Sequence, residues 1–390
     1  MLETDERLAT TSGPTVGRPV RICFVIENLL PAGTELWILR LIQHLDRRYV
    51  FPHLCLLDGH NETSRRLLPS NCPSLCLGMQ RMRSRHGLKS ASSFYRFLRT
   101  HKMDVVQVHH ADPAYFAAPI ARFARTRFVV QSKFDTGYWL GRKHLWLHRG
   151  LRPWIDVTVA NSQASAHAAM QQEWSRNIIT LENGIPMDKL LEIDPLRMPR
   201  TAPSPNSTPI RIGMVCNLRS VKRPETLLQA ASLIRSQKTN FDLEYHFAGD
   251  GPLLEQLKSR TQEHRLQDCV HFHGPLDDVP GFLKNMHIST LTSESEGLSH
   301  SILEYLAAGR ATVVSDVPGN RELVRHEDNG LLFPVGDAAA LSDSLLRLTA
   351  EPDLAERLGR HGRASVADRY SLEAMVRRFE TFYRELMHGN

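Results

Sequence analysis

The sequence predicts an α/β protein with two parallel sheets. Three observations support this fold class. Short apolar segments, typical of buried parallel strands, alternate with segments of helical spacing. The alternation stops at residues 195–209, which contain five prolines among polar residues, and then restarts. The length of 390 residues suits two domains, each with its own core.

The first half opens with a strand at Arg21–Ile26, an apolar run that follows Pro19, and with a helix at Thr34–Leu45, whose apolar residues have helical spacing. Because strands and helices alternate, we expect a parallel sheet with helices on both faces. The other predicted strands of this half are His53–Leu57, Val105–Val108, Phe128–Val130 and Val157–Val159. The helices predicted between them include Ser93–Thr100 and Ala114–Ala124.

The second half repeats the pattern, so we expect an N-terminal domain at residues 1–195, a linker at 196–209 and a C-terminal domain at 210–370. Ligands of such sheets bind beyond the carboxyl ends of the strands, which predicts a cleft between the two halves. The last helix, Ser371–Met387, is amphipathic. The predicted strands are Ile210–Val215, Leu243–Ala248, Val270–Phe272, Ile288–Leu291 and Thr312–Val314.

Several classes of protein are excluded by composition and motifs. No apolar run approaches the roughly 20 residues that span a bilayer, and residues 1–19 lack the apolar segment of a secretory signal. The six cysteines are scattered, without the spacing of a zinc site, and are expected to be reduced thiols. Neither G-x-G-x-x-G nor G-x4-G-K-[ST] occurs. We therefore expect a cytoplasmic protein that is neither a dehydrogenase nor a P-loop enzyme.

Positive charge is concentrated in the first half. Residues 1–200 hold 27 Lys and Arg against 17 Asp and Glu, and residues 81–152 hold 15 against three. Such a surface suits anionic lipid headgroups on the inner face of the cell membrane, or a substrate that carries acidic or pyrophosphate groups; a solvated face without a partner is the plainer explanation. Motifs for nucleic-acid binding are absent, and no nucleic-acid partner is expected.

The segment of residues 293–309 is the most informative for chemistry. It follows a strand, passes through Gly297 and predicts a helix from Ser299 that stops at Gly309. Glu304 lies in the apolar part of this helix, where a carboxylate needs a partner. An internal salt bridge or a loop cap would provide one, and ligand hydroxyl groups would provide another. The free N–H groups at the helix start form a site for phosphate, and Glu296 lies beside it.

Glu296 and Glu304 form an E-x7-E arrangement, in a frame that resembles the retaining GT-B glycosyltransferases of the "group 1" family. Other segments resemble that family in the same order along the chain. These segments are Pro31–Glu35, Asp104–His110, Asn183–Gly184, Gly213–Lys222, Ala248–Pro252 and Asn329–Phe333.

The resemblance implies a GT-B architecture, in which two Rossmann-like domains face a central cleft and the C-terminal helix, residues 371–390, completes the N-terminal domain. It implies a hexosyltransferase-type enzyme of polysaccharide or glycoconjugate biosynthesis. A nucleoside-diphosphate sugar would bind the C-terminal domain, and a glycan or lipid-linked acceptor the N-terminal domain. Two alternatives are a non-catalytic GT-B subunit that binds nucleotide-sugar or glycan, and a sugar-nucleotide epimerase.

Carried over by position, the resemblance also assigns roles on the donor side. Glu304 would hold the ribose hydroxyls, and Glu296 the hydroxyls of the transferred sugar. Lys222 would neutralise the diphosphate. The backbone amides of Gly297, Leu298 and Ser299 would assist it, and Gly33 would let the N-terminal loop approach the phosphates.

Two positions leave alternatives open. His109 would meet the donor sugar or the acceptor near the reacting bond, and His110, on the acceptor side, replaces it if the strand is shifted by one residue. Asn217 stands where the family usually has an arginine, so either Arg219 substitutes for it or the diphosphate depends on Lys222 alone. No metal and no cofactor are expected, because fixed cations and amides stabilise the leaving group. Asp277–Asp278 is predicted to be a turn or a helix cap.

Overall fold

The computed structural model describes residues 18–30, 33–79, 85–200, 208–237, 239 and 241–388. Within them the chain forms a seven-stranded sheet followed by a six-stranded sheet, and all strand pairs of both sheets are parallel. The predicted fold class is therefore confirmed. None of the described helices is long and apolar enough to span a bilayer.

The N-terminal sheet has the strand order β3-β2-β1-β4-β5-β6-β7. Successive residues of a strand point to opposite faces, so in β1 Phe24 packs in one core with Trp37, whereas Val25 packs in the other with Phe94. The strands are β1 (Val20–Ile26), β2 (Val50–Leu56), β3 (Ser74–Cys76), β4 (Val105–His109), β5 (Phe128–Lys133), β6 (Val157–Ala160) and β7 (Ile178–Thr180). The helices are α1 (Gly33–His44), α2 (Glu62–Leu67), α3 (Arg85–Thr100), α4 (Ala111–Phe123), α5 (Arg142–Leu151) and α6 (Gln163–Glu173). The next helix, α7 (Asp188–Leu191), packs in the core of the C-terminal domain through Leu190.

The C-terminal sheet has the order β10-β9-β8-β11-β12-β13 and one large core. Its strands are β8 (Ile210–Val215), β9 (Leu243–Ala248), β10 (Val270–Gly274), β11 (Ile288–Leu291), β12 (Ala311–Ser315) and β13 (Leu331–Phe333). Its helices are α8 (Glu225–Ser236), α9 (Leu254–Glu263), α10 (Val279–Lys284), α11 (His300–Ala307), α12 (Pro318–Arg321), α13 (Ala338–Ala350) and α14 (Pro352–Val366). Asp278 caps α10 by accepting a hydrogen bond from the Gly281 amide at 3.2 Å, which confirms the predicted cap.

The last helix, α15 (Leu372–His388), packs on the first sheet and not on the second. Phe379 is fully buried with its ring 5.0 Å from that of Trp37, and the Tyr383 hydroxyl donates to Gln107 Oε1 at 2.6 Å. The amphipathic pattern of α15 is thus explained by the core of the N-terminal domain.

The chain crosses between the domains at two places that lie against each other. The Ile185 amide donates to the Tyr370 carbonyl at 3.0 Å, and a Cβ on Gly184 would lie only 2.3 Å from the Ser371 carbonyl oxygen. Between Ile185 and Tyr370 the chain packs in the C-terminal core, which therefore begins before the boundary predicted at residue 195. Met198, within the predicted linker, is also buried in that core, and residues 201–207 lie outside the described part of the chain.

Candidate active site

The candidate site forms where two neighbouring strands of the C-terminal sheet end. β8 and β11 are paired in parallel, so the loops at their carboxyl ends meet at one edge of the sheet. The Thr292 hydroxyl, after β11, lies 2.7 Å from the carbonyl oxygens of both Lys222 and Arg223, which follow β8. The Glu294 amide donates to the Val221 carbonyl at 2.9 Å. These contacts hold the two loops together.

Lys222 and Glu296 form an ion pair across these loops. Lys222 Nζ lies 2.6 Å from Glu296 Oε1, and the Ser293 hydroxyl donates to the same oxygen at 2.5 Å. Burial alone would lower the pKa of Lys222, but the charge and hydrogen bond of Glu296 outweigh it and raise the pKa. The ammonium is therefore charged, and it lies at the edge of the cleft where the sequence places a diphosphate.

Helix α11 begins directly beside this pair. The Ser299 hydroxyl caps it by accepting from the Ile302 amide at 3.4 Å. A Cβ on Gly297 would lie 2.6 Å from the Phe134 carbonyl oxygen and 2.7 Å from Ser165 Oγ, both in the N-terminal domain. A side chain at this position would push the domains apart. Leu298, between the glycine and the cap, is buried.

Glu304 lies one turn further along α11 and is half-buried. Among the described residues its carboxylate has no hydrogen bond and no ion pair, so neither the salt bridge nor the cap considered from the sequence is present. Burial raises its pKa to about 7, and the charge of Arg40 on α1 opposes this rise. A carboxylate without a partner, close to an arginine of the other domain, is available to accept hydrogen bonds from a ligand.

The N-terminal domain faces this edge through the start of α1. A Cβ on Gly33 would be 3.7 Å from His300 Nδ1, so the starts of α1 and α11 oppose each other; Pro31 and Ala32 lie outside the described residues. His300 Nε2 is 3.3 Å from Asn183 Nδ2. Burial, with the charges of Arg40 and Lys222, lowers the pKa of His300 to about 4, so this ring is neutral.

The two histidines at the end of β4 have different surroundings. The ring of His109 is buried among Phe24, Trp37 and Phe134, and neither of its nitrogens has a hydrogen-bond partner among the described residues. Burial and the neighbouring His110 hold its pKa well below the ordinary value. His109 forms part of a cavity wall, but its ring is closed off from solvent.

His110 adopts a φ of 66°, which turns its ring away from that core. Its Nδ1 is 2.9 Å from Glu27 Oε2, and 41% of its side chain is exposed. Burial would lower its pKa, but the hydrogen bond and charge of Glu27, with Glu35 and Asp135, raise it. The structure thus favours His110 over His109 as the histidine that a ligand can reach.

Asn217 and Arg219 are exposed in the loop after β8. Neither side chain has a hydrogen bond or ion pair among the residues described. The charge of Arg219 nevertheless acts on Glu35 of the other domain. Burial raises the pKa of the Glu35 carboxyl, and the charges of His110 and Arg219 oppose this rise. Arg219 therefore lies on the cleft side of its loop, so both alternatives for diphosphate binding stay open.

A cavity in the N-terminal domain contains a buried charge cluster. Lys133 Nζ lies 2.8 Å from Glu173 Oε1 and 3.1 Å from Asp135 Oδ1, and Trp139 Nε1 donates to Asp135 Oδ2 at 2.9 Å. Lys133 and Glu173 are buried, whereas 39% of the Asp135 side chain is exposed. His148 also lines this cavity. No sequence motif predicted this cluster; its one signal in the sequence is a lysine at the end of the apolar strand β5.

The two domains touch beside the site. The Glu322 carboxylate, which follows α12, accepts hydrogen bonds from the Gln163 and Ala164 amides at 2.9 and 2.7 Å and so caps α6 of the other domain. The Thr136 hydroxyl also contacts that of Ser295. Lys222, Glu296 and the start of α11 thus lie at one edge of the C-terminal sheet, and Gly33 faces them from the N-terminal domain.

Two family models match the chain in succession. Glycosyltransferase Family 4 matches residues 31–189, and Glycosyl transferases group 1 matches residues 200–365. The chain belongs to the group 1 GT-B glycosyltransferases. The expected family is therefore confirmed, and retention of the anomeric configuration stays a prediction.

This glycosyltransferase has relatives of similar length. It is 26% identical over 313 residues to N-acetyl-alpha-D-glucosaminyl L-malate synthase of Bacillus anthracis, covering 78% of this chain and 81% of that protein. It is 23% identical over 339 residues to the UDP-Gal:alpha-D-GlcNAc-diphosphoundecaprenol alpha-1,3-galactosyltransferase of Escherichia coli, covering 81% and 83%. These relatives support a transferase of polysaccharide or glycoconjugate biosynthesis.

Solved structures share the fold of this glycosyltransferase. Anabaena Alr3699/HepE, in complex with UDP and glucose, has a TM-score of 0.78 at 18% identity, covering 93% of this chain and 99% of that one. A glycosyltransferase from Rickettsia africae has a TM-score of 0.81 at 16% identity, covering 96% and 100%. At such identities the likeness shows the GT-B fold alone.

Proposed function

We propose that this protein is a retaining transferase that moves a hexosyl group from a nucleoside-diphosphate sugar to a glycan or lipid-linked acceptor. The observation that carries the proposal is the arrangement at one sheet edge of Lys222, Glu296 and the start of α11, with Glu304 unpartnered beside them. Retention of the anomeric configuration is proposed on the E-x7-E frame.

The donor half of the proposal follows from charge. Breaking the anomeric C–O bond leaves negative charge on the diphosphate and positive charge on the sugar ring. Lys222 and the helix-start amides stabilise the leaving group, and a charge-assisted hydrogen bond contributes about 1.5–3 kcal/mol, or roughly 10- to 150-fold in rate. Glu296, held by Lys222 and Ser293, accepts hydrogen bonds from the sugar. Glu304 accepts them from the ribose. We propose that no metal acts at this site.

The nature of the substrates is supported by the comparisons. The Anabaena protein was crystallised with UDP and glucose, and the name of the Escherichia coli relative specifies a UDP-sugar donor and a diphosphoundecaprenol acceptor. We propose the same classes here. The acceptor binds at the cavity of the N-terminal domain, where Asp135 and His110 are the exposed polar groups.

A lipid-linked acceptor also gives the basic surface a role. Arg142, Lys143, Trp146 and Leu147 lie on one face of α5, with 69% of Trp146 and 53% of Leu147 exposed. Such a face binds the interface of an anionic membrane through charge and buried apolar area. We propose that α5 docks this protein on the inner face of the cell membrane. The start of the basic region, residues 81–84, lies outside the described residues.

The test is a screen of nucleotide-sugars with lipid-linked and glycan acceptors, followed by the variant Glu296→Gln. We expect release of nucleoside diphosphate that depends on the acceptor, formation of a product with the anomeric configuration of the donor, and loss of both in the variant. Glu294→Gln is the matched control, because Glu294 is an exposed carboxylate two residues away that pairs only loosely with Arg223 at 3.5 Å.

Other outcomes identify the alternatives. Donor binding without turnover for any acceptor would indicate a non-catalytic binding subunit, and an isomerised sugar formed without acceptor would indicate an epimerase. Inverted product would contradict retention alone. A full loss of transfer in strong chelator that added divalent metal restores would contradict the metal-free mechanism.

A further inference from the structure

A cluster of three histidines and one glutamate lies on the C-terminal sheet, outside the site described above. β9 and β10 pair in parallel with His246 opposite His271. Glu244 is two residues from His246 on β9, and His273 is two residues from His271 on β10. Residues two apart on a regular strand share a face, so Glu244, His246 and His271 lie on one face of the sheet. The pairing register shifts between Phe272 and Gly274, but His273 still reaches this face, because its Nε2 is 2.9 Å from His246 Nδ1. All four side chains line a common cavity with Arg211.

The distances within this cluster are close to those of a metal site. His246 Nε2 is 3.3 Å from Glu244 Oε2, and one ligand atom from each of Glu244, His246 and His271 lies within 4.8 Å of the others. Two ligands of a tetrahedral zinc ion are about 3.4 Å apart, since each Zn–N bond is about 2.0–2.1 Å. The glutamate–histidine pair already has this spacing, and a nitrogen of His271 lies within 4.8 Å of both partners.

Hydrogen bonds alone leave one nitrogen of the cluster unsatisfied. His246 Nδ1 is 2.9 Å from His273 Nε2, and His246 Nε2 is 3.3 Å from Glu244 Oε2. One proton in each of these two contacts would join three of the four groups by hydrogen bonds. The buried Nε2 of His271 still has no hydrogen-bond partner among the described residues. A buried nitrogen with a lone pair and no donor is costly, and a cation placed here would satisfy it.

The carboxylate of the cluster is held in place by a guanidinium group beside it. Arg211 Nε donates to Glu244 Oε2 at 3.0 Å and thereby orients the carboxylate.

We propose that Glu244, His246 and His271 bind one divalent transition-metal ion of the zinc type, with water as the fourth ligand. His246 binds through Nε2 and donates its Nδ1–H to His273, because a metal-binding histidine usually donates its other N–H to an acceptor that fixes the ring. The cavity is bordered by Arg211, near the start of β8, and by Met286, which precedes β11. Lys222 and Glu296 follow the other ends of these strands. The ion therefore stabilises the β9–β10 edge and takes no part in sugar transfer.

The experiment uses the full chain without an affinity tag, stripped with chelator and dialysed, and titrated with Zn²⁺ by calorimetry. We expect one ion per chain and a rise in Tm on the order of 5 °C at 100 times Kd. His271→Gln is expected to weaken binding at least 10-fold, and His273→Gln by roughly 10- to 100-fold, because it removes the acceptor that orients His246. His264→Gln, at an exposed histidine just after α9, is the matched control and keeps wild-type affinity.

Two results would overturn the proposal: no Zn²⁺ bound by the wild type, or the same affinity in the wild type and in folded His271→Gln. Circular dichroism shows whether each variant is folded. X-ray absorption of Zn²⁺ on the wild type gives a measurement that needs no variant. A first shell with two imidazoles in a four-coordinate site supports the assignment, and a shell of six oxygens contradicts it. None of these measurements depends on transferase activity, so the metal site and the proposed function succeed or fail separately.

Discussion

In the proposed function, the carboxylate of Glu304 makes donor binding depend on pH. It is half-buried, it has no partner among the described residues, and its pKa is raised to about 7. Only the ionised form has all its lone pairs free to accept two ribose hydroxyls. The free enzyme is therefore expected to bind donor better as the pH rises through about 7.

We expect kcat/KM for the donor to increase between pH 6 and pH 8 with an apparent pKa near 7, because this parameter reports groups of the free enzyme. Glu304→Gln should lower kcat/KM and remove that step. The measurement is a pH profile under donor-limiting conditions. A step that persists unchanged in the variant would assign the titration to another group.

The same residue should destabilise the free protein at neutral pH. Its folded pKa is raised from 4.5 to about 7, so between these values the folded state binds more protons than the unfolded state, and stability falls as the pH rises through this window. Glu304→Gln is therefore expected to raise Tm at pH 8 and to change it little at pH 4.5. Thermal melts at both pH values test this; an equal effect at the two would contradict it.

Lys222 pairs with Glu296 in the free protein, and the proposed function gives its charge a second partner, the diphosphate of the donor. Lys222→Ala should lower donor-dependent turnover by roughly 10- to 150-fold, the effect of one charge-assisted hydrogen bond realised in the transition state. Lys258→Ala is the control, since Lys258 is an exposed lysine of the same domain that pairs with Glu255. Unchanged turnover would remove Lys222 from the diphosphate site.

The two histidines at the end of β4 show what sequence cannot decide at this scale. Neighbouring residues of a strand point to opposite faces, and a shift of one residue exchanges them. The sequence identified the strand end but could not say which ring enters the core. The partners Trp37 and Phe134, which enclose His109, come from other elements, and only the fold brings them together.

At the scale of elements, three mostly buried strands of the C-terminal sheet were predicted well. Ile210–Val215, Leu243–Ala248 and Ile288–Leu291 were predicted with the bounds that β8, β9 and β11 have. By contrast, β3 and β7 have three residues each, are only partly buried and lie at the edges of their sheet, so no apolar run marked them. The helix α15 was recognisable from its pattern, but its packing partner was expected only from the family resemblance.

Helix α5 carries the prediction for membrane docking. The double variant Arg142→Gln/Lys143→Gln should weaken binding to anionic vesicles by roughly 30-fold, because each basic residue near such a surface contributes about 1 kcal/mol. Trp146→Ser should weaken binding by removing buried apolar area. Vesicle pelleting at low and high salt is the measurement.

The control for docking is Leu233→Ser, at an exposed apolar residue on α8 of the other domain. It should leave pelleting unchanged. Wild-type protein that pellets equally with neutral and anionic vesicles, at any salt concentration, would leave α5 without a membrane role.

At the scale of the molecule, Glu322 links the two domains. Its carboxylate caps α6 with two hydrogen bonds and places negative charge at the helix start. Glu322→Gln should shift the domains toward an open form and raise the donor KM by roughly 5-fold, the effect of about 1 kcal/mol, with a smaller change in kcat.

Small-angle scattering of the donor-free protein, with kinetics, tests this expectation. The radius of gyration should increase in Glu322→Gln and stay constant in Glu351→Gln, a control at an exposed carboxylate that pairs with Arg347 inside one domain. An unchanged radius together with an unchanged KM would show that the cap does not contribute to closure.

The position of α15 has a consequence for protein synthesis. The sheet of β1–β7 leaves the ribosome first, but the surface around Trp37 is not covered until Phe379 and Tyr383 have been translated. The C-terminal sheet can fold as soon as α14 has left the ribosome. The N-terminal sheet keeps part of its apolar face exposed until α15 has been translated. We therefore expect nascent chains that stop before residue 371 to expose a lasting chaperone-binding surface on the half that was made first.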